Sequence, residues 1–148
     1  SEMCKETDAN LGKAILSIGA VKAFEIGDGI AVAQSDGLHN NDAYCADEAG
    51  HITKKTNHSG GITGGISDGC EILFRAASKP TPSISATQES VTRTGENLDI
   101  SIKGRHDPII VPRAVVVVEA MAAITIADAL LMNMGARMDG ITDFYKKL

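Results

Sequence analysis

The sequence predicts an α+β fold in which antiparallel β-sheet packs against one long buried helix. Two observations lead to this prediction. Short apolar runs separated by glycine, proline and aspartate recur over the first hundred residues, as they do in proteins built from short strands. A mostly apolar stretch follows at 113–134, and it is too long for a strand. Because this stretch is apolar on all faces, we expect a helix covered by sheet on both sides.

The long helix has one competing interpretation, a membrane span. About 22 apolar residues suffice to cross a bilayer. Glu119 and Asp128 lie inside the stretch, however, and their carboxylates would be costly in lipid. We therefore favour a helix buried in protein, with no membrane partner, preceded by Pro112 and ended by Gly135. The polar tail at 136–148 is predicted to hold one short helix.

Composition indicates one globular domain in a reducing compartment. The chain has 148 residues, 43% apolar and 22% charged, and can bury a core without disulfides or metals. A net charge of −5 and 3% aromatic residues argue against a nucleic-acid partner. Three cysteines without a CxxC pair favour free thiols, hence the cytoplasm. The polar opening Ser1-Glu2 lacks a signal peptide, and we expect a tag remnant or an excised piece.

The amino-terminal part predicts a helix followed by a hairpin. Residues 5–17 place Leu11 and Ile15 at helical spacing. Residues 21–26 and 30–34 are predicted as two paired strands, because the Gly-Asp-Gly turn between them allows positive φ on both sides.

The middle of the chain predicts a long loop and then more strands. Residues 35–56 are polar and irregular, with Gly50 as the tip of a small hairpin. A strand is expected at 70–77. Two more, at 85–93 and 98–103, are expected to pair, and the second alternates apolar and polar residues as a strand with one solvated face does.

A glycine-rich segment at 57–69 is the first candidate site. Its thirteen residues, NHSGGITGGISDG, include five glycines. Bare amides in such turns can bind an anion, although a tight loop without a ligand explains the pattern equally well. Neither the P-loop nor the GxGxxG pattern of dinucleotide-binding proteins is present.

The segment 79–83, KPTPS, is the second candidate. Its two prolines favour extended chain, so that Lys79, Thr81 and Ser83 could together bind a phosphate. A solvated surface lysine is the more common alternative.

A third candidate lies just ahead of the long helix. Arg105, His106 and Asp107 could bind a phosphate or move a proton at the start of that helix. A turn capped by Asp107, with Arg105 in an ion pair, accounts for the same residues. The remaining histidines lack metal-ligand spacing, so we predict no metal site.

Five motifs in one order across most of the chain resemble the chorismate synthase family. They are SIGAVKAFEIGDG at 17–29, NND at 40–42, TNHSGGITGGISDG at 56–69, FRAASKPTPSI at 74–84 and KGRHDPIIVPRAVVVVEAM at 103–121. The resemblance covers the carboxy-terminal portion of that enzyme. The family's amino-terminal region, with two catalytic histidines and most substrate-binding arginines, is absent, so we expect the chain to be inactive alone.

The resemblance implies a lyase of the shikimate pathway. Its substrate would be 5-enolpyruvylshikimate 3-phosphate and its products chorismate and phosphate. Reduced FMN would be required without net redox change, and NADPH would enter only as an external reductant of the flavin. The implied fold is a β-α-β sandwich, and the implied partners are the remainder of the chain and further copies in a homotetramer.

The resemblance also implies site residues. Arg105 and Asp107 match the catalytic motif, with Asp107 handling a proton near flavin N5 and His106 facing away. The FMN contacts would be made by Gly19, Ala20, Gly64, Lys79, Pro80, Thr81, Pro82, Ser83 and Arg105. Ile109 and Val116 depart from the residues common in the family, and we expect those departures to affect packing only.

Two alternatives stay open beside the lyase. One is a non-catalytic folding or oligomerisation module of a larger protein. The other, weaker, is a flavin-dependent oxidoreductase, which would need a nicotinamide site that no GxGxxG pattern supports.

Overall fold

The computed structural model describes residues 6–105 and 109–147, and it confirms the α+β class. Among these residues are three α-helices, one 3-10 helix at Gly29–Gln34, and eight short strands. The helices are α1 (Glu6–Leu16), α2 (Val111–Gly135) and α3 (Met138–Tyr145). The strands are β1 (Val21–Ile26), β2 (Tyr44–Ala46), β3 (Ile52–Lys54), β4 (Ile62–Thr63), β5 (Ile66–Ser67), β6 (Phe74–Ser78), β7 (Gln88–Val91) and β8 (Asn97–Ile100).

The strands form four two-stranded antiparallel sheets: β1 with β6, β2 with β3, β4 with β5, and β7 with β8. The β2–β3 hairpin carries the predicted Gly50 near its tip, where φ is +83°. The β7–β8 hairpin is also the predicted one, although both strands are shorter than expected. β6 begins at Phe74 rather than at residue 70, because the preceding residues pair with the glycine-rich segment instead, as the amide of Leu73 donating to Gly60 shows.

The predicted strand at 30–34 and its hairpin with β1 are wrong. This stretch is the 3-10 helix, and β1 pairs with β6 from Val21 to Ile26, with a register shift between Val21 and Ala23. The reason is that the turn residues are bound elsewhere. The amide of Gly27 donates to the Leu73 carbonyl (2.9 Å), and the amide of Asp28 donates to the His58 carbonyl (2.9 Å). The turn amides are therefore hydrogen-bonded to distant segments, and the turn does not bring residues 30–34 back to pair with β1.

The core lies between α1 and the β1–β6 sheet. Its fully buried members among the described residues are Leu11 and Ile15, one turn apart on α1. Phe24 and Phe74 face each other across the sheet, with ring centroids 5.6 Å apart. Gly12 lets α1 approach this sheet, because a Cβ there would lie 3.2 Å from the Phe24 ring.

α2 has the predicted position and extends two residues further at its start and one at its end. No residue of α2 is buried within the described chain, which differs from the expected burial. Its half-buried positions fall on one stripe that packs toward α1, and this stripe comprises Ala114, Val118, Met121, Ala122, Thr125 and Ala129. The rest of its surface is exposed and mostly apolar, because the small sheets of the described chain are too few to cover it. By length and composition alone, α2 also qualifies as a membrane-crossing helix.

Candidate functional site

The end of the β1–β6 ladder brings two of the predicted cofactor-binding segments together. The amide of Lys79 donates a 2.7 Å hydrogen bond to the carbonyl of Ala20, one step beyond the last paired residues, Val21 and Ser78. Ala20 has a φ of +71°, which is uncommon for a residue with a Cβ. Gly19 precedes it in the same turn, so Gly19, Ala20 and the start of KPTPS lie side by side.

The 79–83 segment leaves this junction in an irregular conformation outside any strand. Pro80 and Pro82 have no amide to donate, so the segment cannot extend the ladder. Side-chain exposure alternates along it, with Thr81 and Ser83 half-buried and Pro80 and Pro82 exposed. The hydroxyl oxygen of Thr81 is buried and has no hydrogen-bond partner within residues 6–105 and 109–147. A buried hydroxyl without a partner is costly, and such groups call for a reason.

Gly64 lies at the tip of the β4–β5 hairpin. Gly64 and Gly65 form the turn with φ of +61° and +82°, and two positive φ values are what a type I′ hairpin turn requires. A Cβ at Gly64 would have no atom within 4 Å, so this tip is open on its outer side.

The base of the glycine-rich segment is closely packed, unlike its tip. A Cβ at Gly60 would lie 2.5 Å from the Gly27 nitrogen, and one at Gly61 would lie 2.5 Å from the Glu71 carbonyl oxygen. The side chain of Asn57 brackets Gly61, donating to Glu71 (2.8 Å) and accepting from the Gly61 amide (2.7 Å). These glycines are therefore required by backbone contacts within the fold.

A cluster of hydrogen-bonded polar side chains was not recognised from the sequence. Lys54 donates to Asp68, to the Thr63 hydroxyl (2.9 Å) and, more weakly, to the Ser59 hydroxyl (3.4 Å). Its ammonium also lies 3.8 Å from a carboxylate oxygen of Asp42. No spacing rule links these residues, because they come from three separate turns and strands.

Hydrogen bonds set the charge state of this cluster. Burial by itself raises the pKa of Asp42, but hydrogen bonds from Ser59, Thr56 and the His58 amide lower it well below its usual range. The hydrogen bond from the Lys54 ammonium likewise lowers the pKa of Asp68, although burial acts to raise it. Asp68 in turn raises the pKa of Lys54. All three side chains are therefore charged at neutral pH.

A histidine and an aspartate also pair across the turn after β1. His58 Nδ1 lies 2.7 Å from Asp28 Oδ2, and the side-chain Nδ2 of Asn40 donates to the same oxygen (3.2 Å). Arg75 donates from its guanidinium to the Gly27 carbonyl (2.9 Å), so its charge serves this turn.

Of the remaining predicted site residues, the structure describes Arg105, the last residue of the first described range. Arg105 is exposed and follows Gly104. His106 and Asp107 lie outside the described residues. Among those that are described, no group of three histidine, cysteine, aspartate or glutamate side chains is placed to hold a metal ion.

Comparison with known proteins gives a consistent result. The family model for chorismate synthase matches residues 1–131. The chorismate synthase of Agathobacter rectalis is 71% identical over 144 residues, and that of Lachnospira eligens is 62% identical over 143. Each alignment covers 97% of this chain and 39% of the relative. A crystal structure of a chorismate synthase superposes with a TM-score of 0.67 at 31% identity, covering 96% of this chain and 35% of the other. The chain thus spans about two fifths of the length of these relatives.

Proposed function

This chain belongs to the chorismate synthase family, and from that premise we propose that it is the carboxy-terminal, FMN-contributing part of a chorismate synthase. The complete enzyme would eliminate phosphate from 5-enolpyruvylshikimate 3-phosphate and release chorismate. The observation that supports this most is the junction where Lys79 bonds to Ala20, with the unpartnered Thr81 hydroxyl buried beside it. A buried hydroxyl that lacks an acceptor is consistent with a binding site in which an anionic ligand supplies that acceptor.

The residues proposed to hold FMN divide by their chemistry. Lys79 and Arg105 supply positive charge, and Thr81 and Ser83 supply hydroxyl donors, which together suit a phosphate group. Gly19, Ala20 and Gly64 offer backbone without a long side chain, which suits the approach of a flat ring. Pro80 and Pro82 fix the backbone φ on the amino-terminal side of each hydroxyl residue, and so restrict the conformation of the segment. Reduced FMN, when bound, supplies an electron-rich flavin to assist the loss of phosphate.

The chain's own catalytic residues would manage charge and one proton. Arg105 would neutralise anionic oxygens of the flavin and substrate. Asp107 would exchange a proton at flavin N5, a role for which a carboxylate in hydrogen-bond reach is suited. NADPH would serve only as an external reductant of the flavin.

The remainder of the enzyme is the proposed partner of α2. Exposed apolar side chains on this helix, such as Val116 (65% exposed) and Leu131 (66% exposed), would be covered by that remainder in a cytoplasmic homotetramer. The same exposed surface favours the second candidate role, a folding or oligomerisation module, for the chain in isolation.

The experiment uses a full-length chimera in which this chain replaces the segment that it matches in the Agathobacter rectalis relative. Lys79→Ala and Arg105→Ala are each expected to raise the FMN dissociation constant at least about tenfold, because each removes a charged hydrogen-bond donor. The matched controls are Lys55→Ala and Arg93→Ala, two exposed cations away from the junction. FMN affinity is measured by fluorescence titration, and chorismate formation is measured alongside it. Unchanged flavin affinity in both site variants would refute the assignment, and stoichiometric hydride consumption per product would refute the lyase.

A further inference from the structure

A group of charged and hydroxyl side chains, the Lys54 cluster, lies at the base of the β4–β5 hairpin and has no role in the function proposed above. Its members are Lys54, Asp42, Asp68, Ser59 and Thr63. The side chains of Lys54, Asp42 and Asp68 are only 4%, 8% and 12% exposed. Charged side chains are rarely so buried unless they are paired, and here they are paired with one another.

The Lys54 cluster makes hydrogen bonds at both ends of the hairpin that carries Gly64. On the entering side, Asp42 accepts from the amide (3.0 Å) and the hydroxyl (2.7 Å) of Ser59. On the leaving side, Asp68 accepts from the Cys70 amide (3.1 Å) and the Thr63 hydroxyl (2.8 Å). Thr63 is the residue next to Gly64, so the hydrogen bond from Lys54 to Thr63 acts one residue from the tip.

The effect of this cluster is local. The contacts described for it join residues between 42 and 70, and none reaches the Ala20–Lys79 junction. The single ammonium lies between two carboxylates, so its removal would leave two buried negative charges facing each other. At the tip itself, a Cβ at Gly64 would meet no atom within 4 Å, so no packing contact restrains that position directly.

We propose that Lys54 is a positioning residue for the flavin site, holding the Gly64 hairpin in place through Thr63 and Asp68. The inference rests on the proposed function, in which Gly64 contacts FMN. Lys54 lies on β3, in a segment to which the sequence assigns no role, and it does not itself touch the ligand.

The test compares Lys54→Met with Lys55→Met in the full-length chimera. Methionine keeps the unbranched side chain and removes the charge, and Lys55 is the adjacent exposed lysine. Lys54→Met is expected to raise the FMN dissociation constant about tenfold, and to leave the KM for 5-enolpyruvylshikimate 3-phosphate within about twofold. Lys55→Met is expected to leave both unchanged.

A second readout needs no flavin. Amide hydrogen exchange is measured at Asp68, whose amide donates to the Gly61 carbonyl (3.1 Å) across the base of the hairpin, and at Lys79, whose amide donates to Ala20. Lys54→Met should lose protection at Asp68 and keep it at Lys79. Wild-type FMN affinity with unchanged protection at Asp68 would overturn the proposal. Equal loss at both amides would also overturn it, because the cluster would then support the whole fold.

Asp68→Asn provides the second variant if Lys54→Met does not fold, because it keeps the shape and an acceptor oxygen and removes one charge. Asp68→Asn should weaken FMN binding and reduce the exchange protection at residue 68, each by less than Lys54→Met does. If neither quantity changes, the result counts against the proposal. A wild-type chimera that binds no FMN would contradict the proposed function, whereas the exchange comparison would still decide whether Lys54 positions the hairpin.

Discussion

The amide of Lys79 donates a 2.7 Å hydrogen bond to the carbonyl of Ala20. This bond adds one step to the β1–β6 ladder at the point where two prolines prevent any further step. The residues after it therefore leave the sheet. They are held at Lys79 by this bond and at Pro82 by a 3.0 Å hydrogen bond from the Gln88 side chain to the Pro82 carbonyl. A segment held at two points that carries a cation and two hydroxyls suits the anion site proposed above.

The first prediction concerns the buried hydroxyl of Thr81. In the full-length chimera, Thr81→Val should weaken FMN binding by about 1.5–3 kcal/mol, the value of a hydrogen bond to a charged group. Without ligand the same change should leave stability unchanged or raise it by about 1 kcal/mol, because an unsatisfied buried hydroxyl is removed. Fluorescence titration and thermal unfolding measure the two effects. Thr87→Val, at an exposed threonine, is the control, and a loss of stability without ligand in Thr81→Val would show that the hydroxyl already has a partner.

The sequence predicted the elements whose signals are local. α1 and α2 were placed within two residues because each has continuous helical character and clear ends. The β7–β8 hairpin followed from alternation around a glycine turn. The β1–β6 pairing and the 3-10 helix were missed, because the turn at Gly27 is decided by hydrogen bonds to His58 and Leu73, which no local pattern reveals.

The candidate site shows the same division. Motifs within one short segment, such as KPTPS and the glycine-rich segment, could be identified by resemblance. The Lys54 cluster could not, because Asp42, Lys54 and Asp68 are ordinary surface residue types whose burial depends on how three loops fold together. The long helix was predicted as buried, but none of its residues is buried in the described chain.

The second prediction is that Gly27→Ala destabilises the fold. A Cβ at Gly27 would lie 2.0 Å from the His58 carbonyl oxygen, and the φ of +56° disfavours any side chain there. Backbone strain of about 1–2 kcal/mol and overpacking of about 1–3 kcal/mol should add to a loss of several kcal/mol. Gly37→Ala is the matched control, because a Cβ there meets no atom within 4 Å. Equal thermal unfolding temperatures for the two variants would contradict the close approach of these segments.

The third prediction is a local loss of stability in acid. The pKa values of Asp42 and Asp68 are lowered in the folded chain, so the stability that they contribute is fully present above the unfolded pKa and is lost as pH falls toward the folded pKa. Protection of the Ser59 and Cys70 amides, which donate to these carboxylates, should decline below about pH 4. The Gly27 amide, bonded to a carbonyl, is the internal reference. Parallel decline at all three amides would indicate global acid unfolding instead.

The fourth prediction concerns the exposed surface of α2. At its present exposure this surface should make the isolated chain self-associate, because large apolar patches in water favour any contact that covers them. Sedimentation velocity over a range of concentrations should show oligomers, and Val116→Lys should reduce them. Leu38→Lys, at an exposed apolar residue outside α2, should not.

The same pair of variants tests what covers α2 in the complete protein. In the full-length chimera Val116→Lys should destabilise by about 3 kcal/mol or more, because a charge would be buried without a partner, whereas Leu38→Lys should be near neutral. Oligomers of the isolated chain that do not respond to FMN would favour an assembly role for the chain alone. A monomeric isolated chain, together with a harmless Val116→Lys in the chimera, would mean that α2 is a solvated surface in both, and the remainder of the enzyme would then have to pack elsewhere.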